Sequence, residues 1–269
     1  KTTNLIVNRS LLMVEGLGNP NVLTNIGEVN NKGIEVLLQG KIMGSKDFTW
    51  NATGTFYLNR NKIVHLYGAY QTKDASGNTI TKENDDIGNG WFIGHDVNAV
   101  WDYNIQGVWQ TAEAAEAKKY NAIPGDFKLQ DMNGDFKFTN ADKVFLGSTN
   151  PSFTWSLRND FNFLKHFDFS FMVVSNIGQL RQYNQAINNP GSVGLGRTNS
   201  YVLPYWTPDN PINDYARLNS GSSGTTINVW RKASFLRFQT ASLGYTFAPT
   251  LIKRLGMSSA KVFINATDA

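Results

Sequence analysis

The 269-residue sequence has no cysteine, which removes disulfides, thiolate metal sites and cysteine nucleophiles together. Charge is also scarce: Asp, Glu, Lys and Arg make up 17% of the chain, and polarity is carried by Asn, Ser, Thr and Gly beside 13% aromatics. The formal net charge of +4 is small and scattered. With no basic cluster interleaved with aromatics, no nucleic-acid partner is expected. No apolar run approaches the roughly 20 residues that a membrane helix needs. Closed β-barrels are the other structures that satisfy their backbone in lipid, so the choice lies between a soluble protein and a membrane barrel. Motifs for covalent or phosphoryl chemistry are missing as well, with no G-x-S-x-G, P-loop, H-E-x-x-H or G-x-G-x-x-G. His65, His95 and His166 stand apart from any local nucleophile or metal spacing, and the chain is read as a non-enzyme with no catalytic residues.

What is present is alternation. Ile34, Val36, Leu38 and Ile42 alternate with polar residues, and Phe48, Trp50, Ala52, Phe56 and Leu58 do so across the short link at 43–47. The clearest run has Phe153, Trp155, Leu157, Phe161 and Phe163 on one face and Thr154, Ser156, Arg158, Asp160 and Asn162 on the other. After a tight link at 164–166 the pattern resumes with Phe167, Phe169, Phe171 and Val173, a second hairpin. Leu5, Val7, Leu11 and Met13 suggest an opening strand. Between 233 and 247 the apolar phase slips by one, which predicts a β-bulge near Gln239 and Thr240. A short helical link at 250–255 and a last strand with Val262, Ile264 and Ala266 follow.

The links sort by length. Short ones fall at 43–47, 164–166 and about 248–260; long ones fall at 61–152 and 177–232. Short turns at one end and long loops at the other is the asymmetry of outer-membrane barrels, and it requires an even number of wall strands within 61–152. Residues 61–90 read as a long mobile loop, 91–110 as partly extended, and Thr111 as the cap of a short helix, TAEAAEAKKY. Loop aromatics Trp91, Trp101, Tyr103, Trp109, Tyr205 and Trp206 could stack on sugars or anchor the loops themselves; substrate-binding residues are not assigned.

One loop carries an ion-binding spacing. Asp131, Asn133, Asp135, Lys137 and Asp142 occupy the first, third, fifth, seventh and twelfth positions of a twelve-residue span, the order in which a calcium loop presents its oxygens, with Lys137 giving its carbonyl. Two residues depart from that pattern. Phe136 stands where such a loop wants Gly, and Asp142 is shorter than the usual bidentate Glu. The other reading is an Asx-rich surface turn without an ion.

Several segments in fixed order resemble SusC/RagA-type TonB-linked outer-membrane proteins: NKGIEV at 31–36, LNRNKIVHL at 58–66, GVWQTAEAAEA at 107–117, PGDFKLQDMNGDFKFTNADKVFLGSTNP at 124–151, PYWTPDNPINDYARL at 204–218 and ASFLRFQTASLGYTF at 233–247. The likeness is to the carboxyl-terminal part of the barrel. It implies an all-β fold, an antiparallel transmembrane barrel of about 22 strands with long extracellular loops, of which residues 1–269 form part of one domain. The plug domain and the last strand are expected to lie outside this chain. The resemblance also implies TonB-energised import of oligosaccharide or peptide cargo across the outer membrane of a Gram-negative bacterium, with a SusD-like surface lipoprotein as partner, outer-membrane lipid around the wall, and TonB reached through a segment absent here. The competing class is a soluble secreted β-sandwich that binds calcium or glycans.

Overall fold

A computed structural model describes residues 2–3, 6–10, 21–25, 27–66, 69–187, 204–220 and 225–268. Its main feature is a seven-stranded antiparallel sheet: β1 (Thr2–Thr3), β2 (Glu28–Gly44), β3 (Phe48–His65), β4 (Phe153–Phe163), β5 (Phe167–Ile177), β6 (Phe235–Thr246) and β7 (Lys261–Thr267). Each strand pairs with the next in this order, so the sheet is an up-and-down meander. It is open, with β1 and β7 at its ends.

Register puts the apolar alternations on one face. Phe161 lies opposite Trp50 and Phe169, and Phe169 opposite Leu243, which in turn faces Ile264. Phe48, Phe163, Phe167 and Tyr245 form a continuous aromatic row across four strands at the short-turn end, with ring centroids 5.3 Å apart for Phe163 and Phe167 and 4.8 Å for Phe167 and Tyr245. Such a girdle is what a membrane interface selects. Nothing among the described residues covers this face: Ile34, Leu38, Leu236, Val262 and Ile264 each expose more than half of their surface. A contiguous apolar area of this kind needs an apolar solvent or partner. Its height fits lipid. From Phe48 to Leu58 the strand climbs roughly 33 Å at about 3.3 Å per residue, and a tilt of about 40° leaves roughly 25 Å, the height of a barrel's apolar band. Within the height of the apolar band the charges lie on the opposite face, with Arg158 forked onto Asp160 at 2.8–3.0 Å and Lys261 beside Asp168 at 2.8 Å.

Both alternating hairpins and the bulge form where the alternation puts them. Met172 pairs with Thr240 and Val173 with Phe238, leaving Gln239 as the extra residue. Pro249–Ile252 and Lys253–Leu255 make the short helical link. No wall strand of the main sheet lies between β3 and β4, which are direct neighbours; zero satisfies the even-number requirement. The long connections leave from the sheet edge opposite the short turns, since Glu28 pairs with His65, Phe153 with Ile177 and Asn176 with Phe235.

Elsewhere the structure differs from the expectations. β3 runs through Asn61 to His65 instead of yielding to a loop, because Ile63 is buried and its backbone also bonds Gly94 and His95. Beyond it, Tyr70–Lys73 and Thr79–Lys82 form a hairpin closed by the Asp74 carboxylate, which accepts from the N–H groups of Ser76 and Asn78. At the amino end, Ile6–Ser10 pairs with Asn21–Asn25; Leu5, Leu11 and Met13 lie outside the described residues.

The chain divides into two compact units. The first comprises Lys1–Val97, Asn150–Gln179 and Ala233–Ala269, and contains the sheet; the second comprises Asn98–Thr149 and Leu180–Lys232.

Candidate functional site

The second unit is built entirely from the two long connections, and short strand pairs hold it together. Ala99–Tyr103 pairs with Lys143–Ser148, Ile105–Val108 with Phe127–Leu129, and Leu180–Gln182 with Trp230–Lys232. Val108, Phe127, Ala186, Trp206, Ala216 and Val229 form its core. The Trp206 indole N–H donates to Gln110 at 2.9 Å, so its polar end is satisfied inside the fold. Gly125 makes this packing possible: at φ +94°, an added Cβ would come within 2.6 Å of both Trp206 and Arg217. Arg217 also bonds the Asp126 carboxylate at 2.9 Å, so residues from both connections share one clasp.

A second buried acid organises the unit's other side. Asp102 accepts from the Trp230 indole at 2.9 Å and the Asn228 amide at 3.1 Å, joining the first connection to the second. A cleft of about 250 Å³ beside it is lined by Gln106, Phe127, Asn213, Asp214, Trp230 and Arg231, among others. Arg231 packs against both rings of the edge-on Tyr183–Tyr215 pair, 5.1 and 5.0 Å from their centroids. Neither Asp102 nor Arg231 stands out in the sequence, where each sits in an ordinary short strand. The run Trp230, Arg231, Lys232 before the wall strand is the one local signal.

The acidic loop follows, between Leu129 and Lys143. Asp131 accepts from the N–H groups of Gly134 at 2.7 Å, Phe136 at 3.0 Å and Asn133 at 3.2 Å. Desolvation pulls its carboxyl upward, but those N–H donors outweigh it and hold Asp131 below the usual carboxylate range. Asn133 accepts from the Asp135 N–H, and Asp135 from the Lys137 N–H at 2.8 Å. Asp142 is fully buried and closes the loop, taking the N–H of Met132 at 3.0 Å and of Thr139 at 2.8 Å. Phe136 has φ +61°, the left-handed turn expected of Gly at that position, and Gly134 is left-handed too at +75°. The backbone therefore turns left-handed at Phe136 although the side chain is aromatic. Phe136 packs edge-on against Tyr120 at 5.3 Å, and Tyr120 stacks on Phe138. Burial, then the neighbouring Asp131 charge, pushes the Tyr120 hydroxyl up. As folded, the loop meets its own anions with N–H donors. Among the described residues no three His, Cys, Asp or Glu side chains converge as a ligand set.

The short helix ahead of this loop begins one residue earlier than its sequence suggests. Gln110 is the cap, its N–H bonded to the Glu113 carboxylate at 3.0 Å, and Thr111 is the first helical residue. Glu113 lies below the usual carboxylate range because Lys128 bonds it at 2.7 Å, and Lys128 also sits 4.5 Å over the Trp109 ring. Of the loop aromatics, Tyr103, Trp109 and Trp206 are buried and serve the unit's packing, whereas Tyr205 is exposed. His65 bonds Glu83 at 3.1 Å and His166 bonds the Thr246 carbonyl at 3.0 Å.

No protein-family profile matches the chain. It is similar to TonB-dependent receptor P3 of Formosa agariphila, 24% identical over all of this chain and 26% of the relative, and to TonB-dependent receptor P26 of the same bacterium, at 27% over all of this chain and 27% of the relative. TonB-dependent receptor SusC of Bacteroides thetaiotaomicron is 25% identical over 85% of this chain and 22% of its own length. Among solved structures, the RagAB peptide transporter has the same fold, with a TM-score of 0.65 and 19% identity over 99% of this chain and 29% of that one. The chain thus spans about a quarter of the length of the curated relatives it matches. The chain is thus similar along its length to a segment of TonB-dependent receptors, SusC among them, and it shares the fold of the RagAB transporter.

Proposed function

We propose that this segment supplies wall and outer loops to an active importer in the outer membrane of a Gram-negative bacterium, energised through TonB and working with a SusD-like lipoprotein. The observation that carries this reading is the uncovered apolar sheet face, about 25 Å tall, bounded by an aromatic row and backed by a charged face. A soluble β-sandwich would bury that face against a second sheet. Cargo in this reading is an oligosaccharide or a peptide, held against the loop unit and moved without covalent chemistry. The cleft with Trp230, Arg231, Asn213 and Asp214 offers the aromatic and polar groups that either cargo needs. The test is uptake of labelled oligosaccharides and peptides by cells with and without the full-length protein, repeated with TonB depleted. Uptake of one class that needs both is the expected result; uptake independent of either overturns the reading.

The acidic loop supports a second, separate proposal. A calcium ion would take the place of the loop's N–H donors, held by Asp131, Asn133, Asp135, the Lys137 carbonyl and Asp142, and would stiffen the loop; the left-handed turns at Gly134 and Phe136 favour this path. Metal analysis of the full-length protein beside Asp131→Ala and Asp135→Ala tests it, and equal metal content in all three removes it.

A further inference from the structure

Just beyond the apolar band, the lipid-side face of β2 and β3 changes character. The last apolar pair toward the long connections is Ile34 opposite Leu58. Two residues further along the same face, Lys32 stands opposite Arg60, and two further again Asn30 stands opposite Lys62. All three cations are exposed. None of them forms an ion pair with a carboxylate among the described residues, and Arg60 donates only to the backbone carbonyls of Asn59 and Ser152. Like charges directly opposite on paired strands repel each other. A surface that only had to end the apolar band could do so with Asn, Ser or Thr, which this chain uses freely elsewhere.

Height locates the cluster. Arg60 lies two residues past Leu58, roughly 5 Å higher at the tilt used above, and Lys62 about 5 Å higher again. That is the headgroup layer, where long basic side chains lie along apolar surface and lift their charge into the interface. Three unpaired cations in that layer, on the outside of the wall, complement a polyanionic headgroup.

We propose that Lys32, Arg60 and Lys62 form a binding site for a phosphorylated lipid of the outer leaflet, its phosphate seated between the opposed Lys32 and Arg60 and its acyl chains lying on Ile34, Val36 and Leu58. Arg60 gives the site geometry, since its planar guanidinium can present paired donors to a phosphate, while the two lysines act as point charges. The assignment rests on the reading of this sheet as outer-membrane wall with its long connections outside.

The test uses the full-length protein, stripped of lipid in detergent and titrated by native mass spectrometry with phosphorylated lipid A, the same lipid with its phosphate removed, and inorganic phosphate alone. Wild type is expected to prefer the phosphorylated lipid by about tenfold, and the triple variant Lys32→Gln, Arg60→Gln, Lys62→Gln to bind both lipids alike. Single Lys62→Gln, which keeps the opposed pair, is expected to lose part of the preference, and it serves if the triple variant does not fold. Equal binding of both lipids by wild type, a preference surviving in the triple variant, or one left undiminished in Lys62→Gln, overturns the site. Binding of inorganic phosphate as tight as that of the lipid overturns the lipid as its occupant. In those cases the protein still requires detergent and the wall reading stands; a full-length protein recovered without detergent overturns both.

Discussion

Leu164 and Lys165 turn β4 into β5 with φ of +53° and +62°. In this three-residue turn the two successive left-handed positions favour Asn and Gly, because a Cβ costs roughly 1–2 kcal/mol at each such position. Lys165 gains little in exchange, since its pairing with Asp47 is long at 3.6 Å and exposed. Lys165→Gly is therefore expected to stabilise the folded wall by about 0.5–1 kcal/mol, read as a higher urea midpoint for the refolded protein. An unchanged or lower midpoint would show that the turn is not strained as described. At Asp131 the prediction concerns pH. A carboxyl whose folded value lies below its unfolded value of about 3.9 adds stability that is complete above the unfolded value and is lost as pH falls through the folded one. Protection of the Gly134 and Phe136 amides, taken relative to their intrinsic exchange rates, should thus fall on acidification below about pH 4, and Asp131→Asn should remove that dependence. The spacing of Asp131, Asn133, Asp135 and Asp142 was legible in the sequence. The handedness of Phe136 was not, because a left-handed aromatic is a property of the closed loop and runs against residue preference.

At the scale of the strand, one residue breaks the apolar alternation of β4. Asn159 shares the face of Leu157 and Phe161, lies opposite Ala52 and Phe171, and is almost wholly buried. Its carbonyl accepts from the Trp50 indole at 2.9 Å, on the neighbouring strand. The pair satisfies two polar groups that lipid would leave bare, and Trp50 stacks on Phe161 above it at 5.7 Å. Trp50→Phe is expected to cost roughly 1–3 kcal/mol by orphaning a buried amide. Asn159→Leu should cost less, since the indole can turn toward the interface. The double variant should recover most of the loss, and a double-mutant cycle on unfolding free energy gives the coupling. Additive losses would mean that the hydrogen bond is not what ties these strands. Alternation revealed the strands and the Gln239 bulge because period and phase are local. It could not reveal the partner of Asn159, which lies 109 residues away in sequence, nor the extension of β3 to His65, where polar Asn59, Asn61 and Lys62 look like loop while Ile63 is buried by distant backbone. The burial of Trp109 and Trp206 was hidden for the same reason: their partners come from the other long connection or a short helix, and only the assembled unit brings them together.

For the whole molecule, the sheet has two unlike faces and no covering layer on the apolar one among the described residues, so its stability depends on the solvent it meets. In lipid the apolar face is matched, and the charged face is left for water and protein. This division sets a sharp contrast between adjacent positions of one strand. Leu157 lies on the apolar face near mid-height, opposite Val173 and Gly54. Ser156, one residue away, points to the other face and shares a 2.6 Å hydroxyl contact with Thr55. An arginine on the lipid side near the midplane costs roughly 2–4 kcal/mol, whereas on the inner side it meets water. Leu157→Arg is thus expected to lower the yield of folded full-length protein in outer-membrane fractions several-fold, and Ser156→Arg to leave it within about twofold, read by heat-modifiable migration on gels. If the two variants behave alike, or if Ser156→Arg is the worse, the apolar face is not the lipid face; the sheet would then be covered by protein on that side, and the importer reading, the calcium-stiffened loop and the phosphate site would each need a different outside.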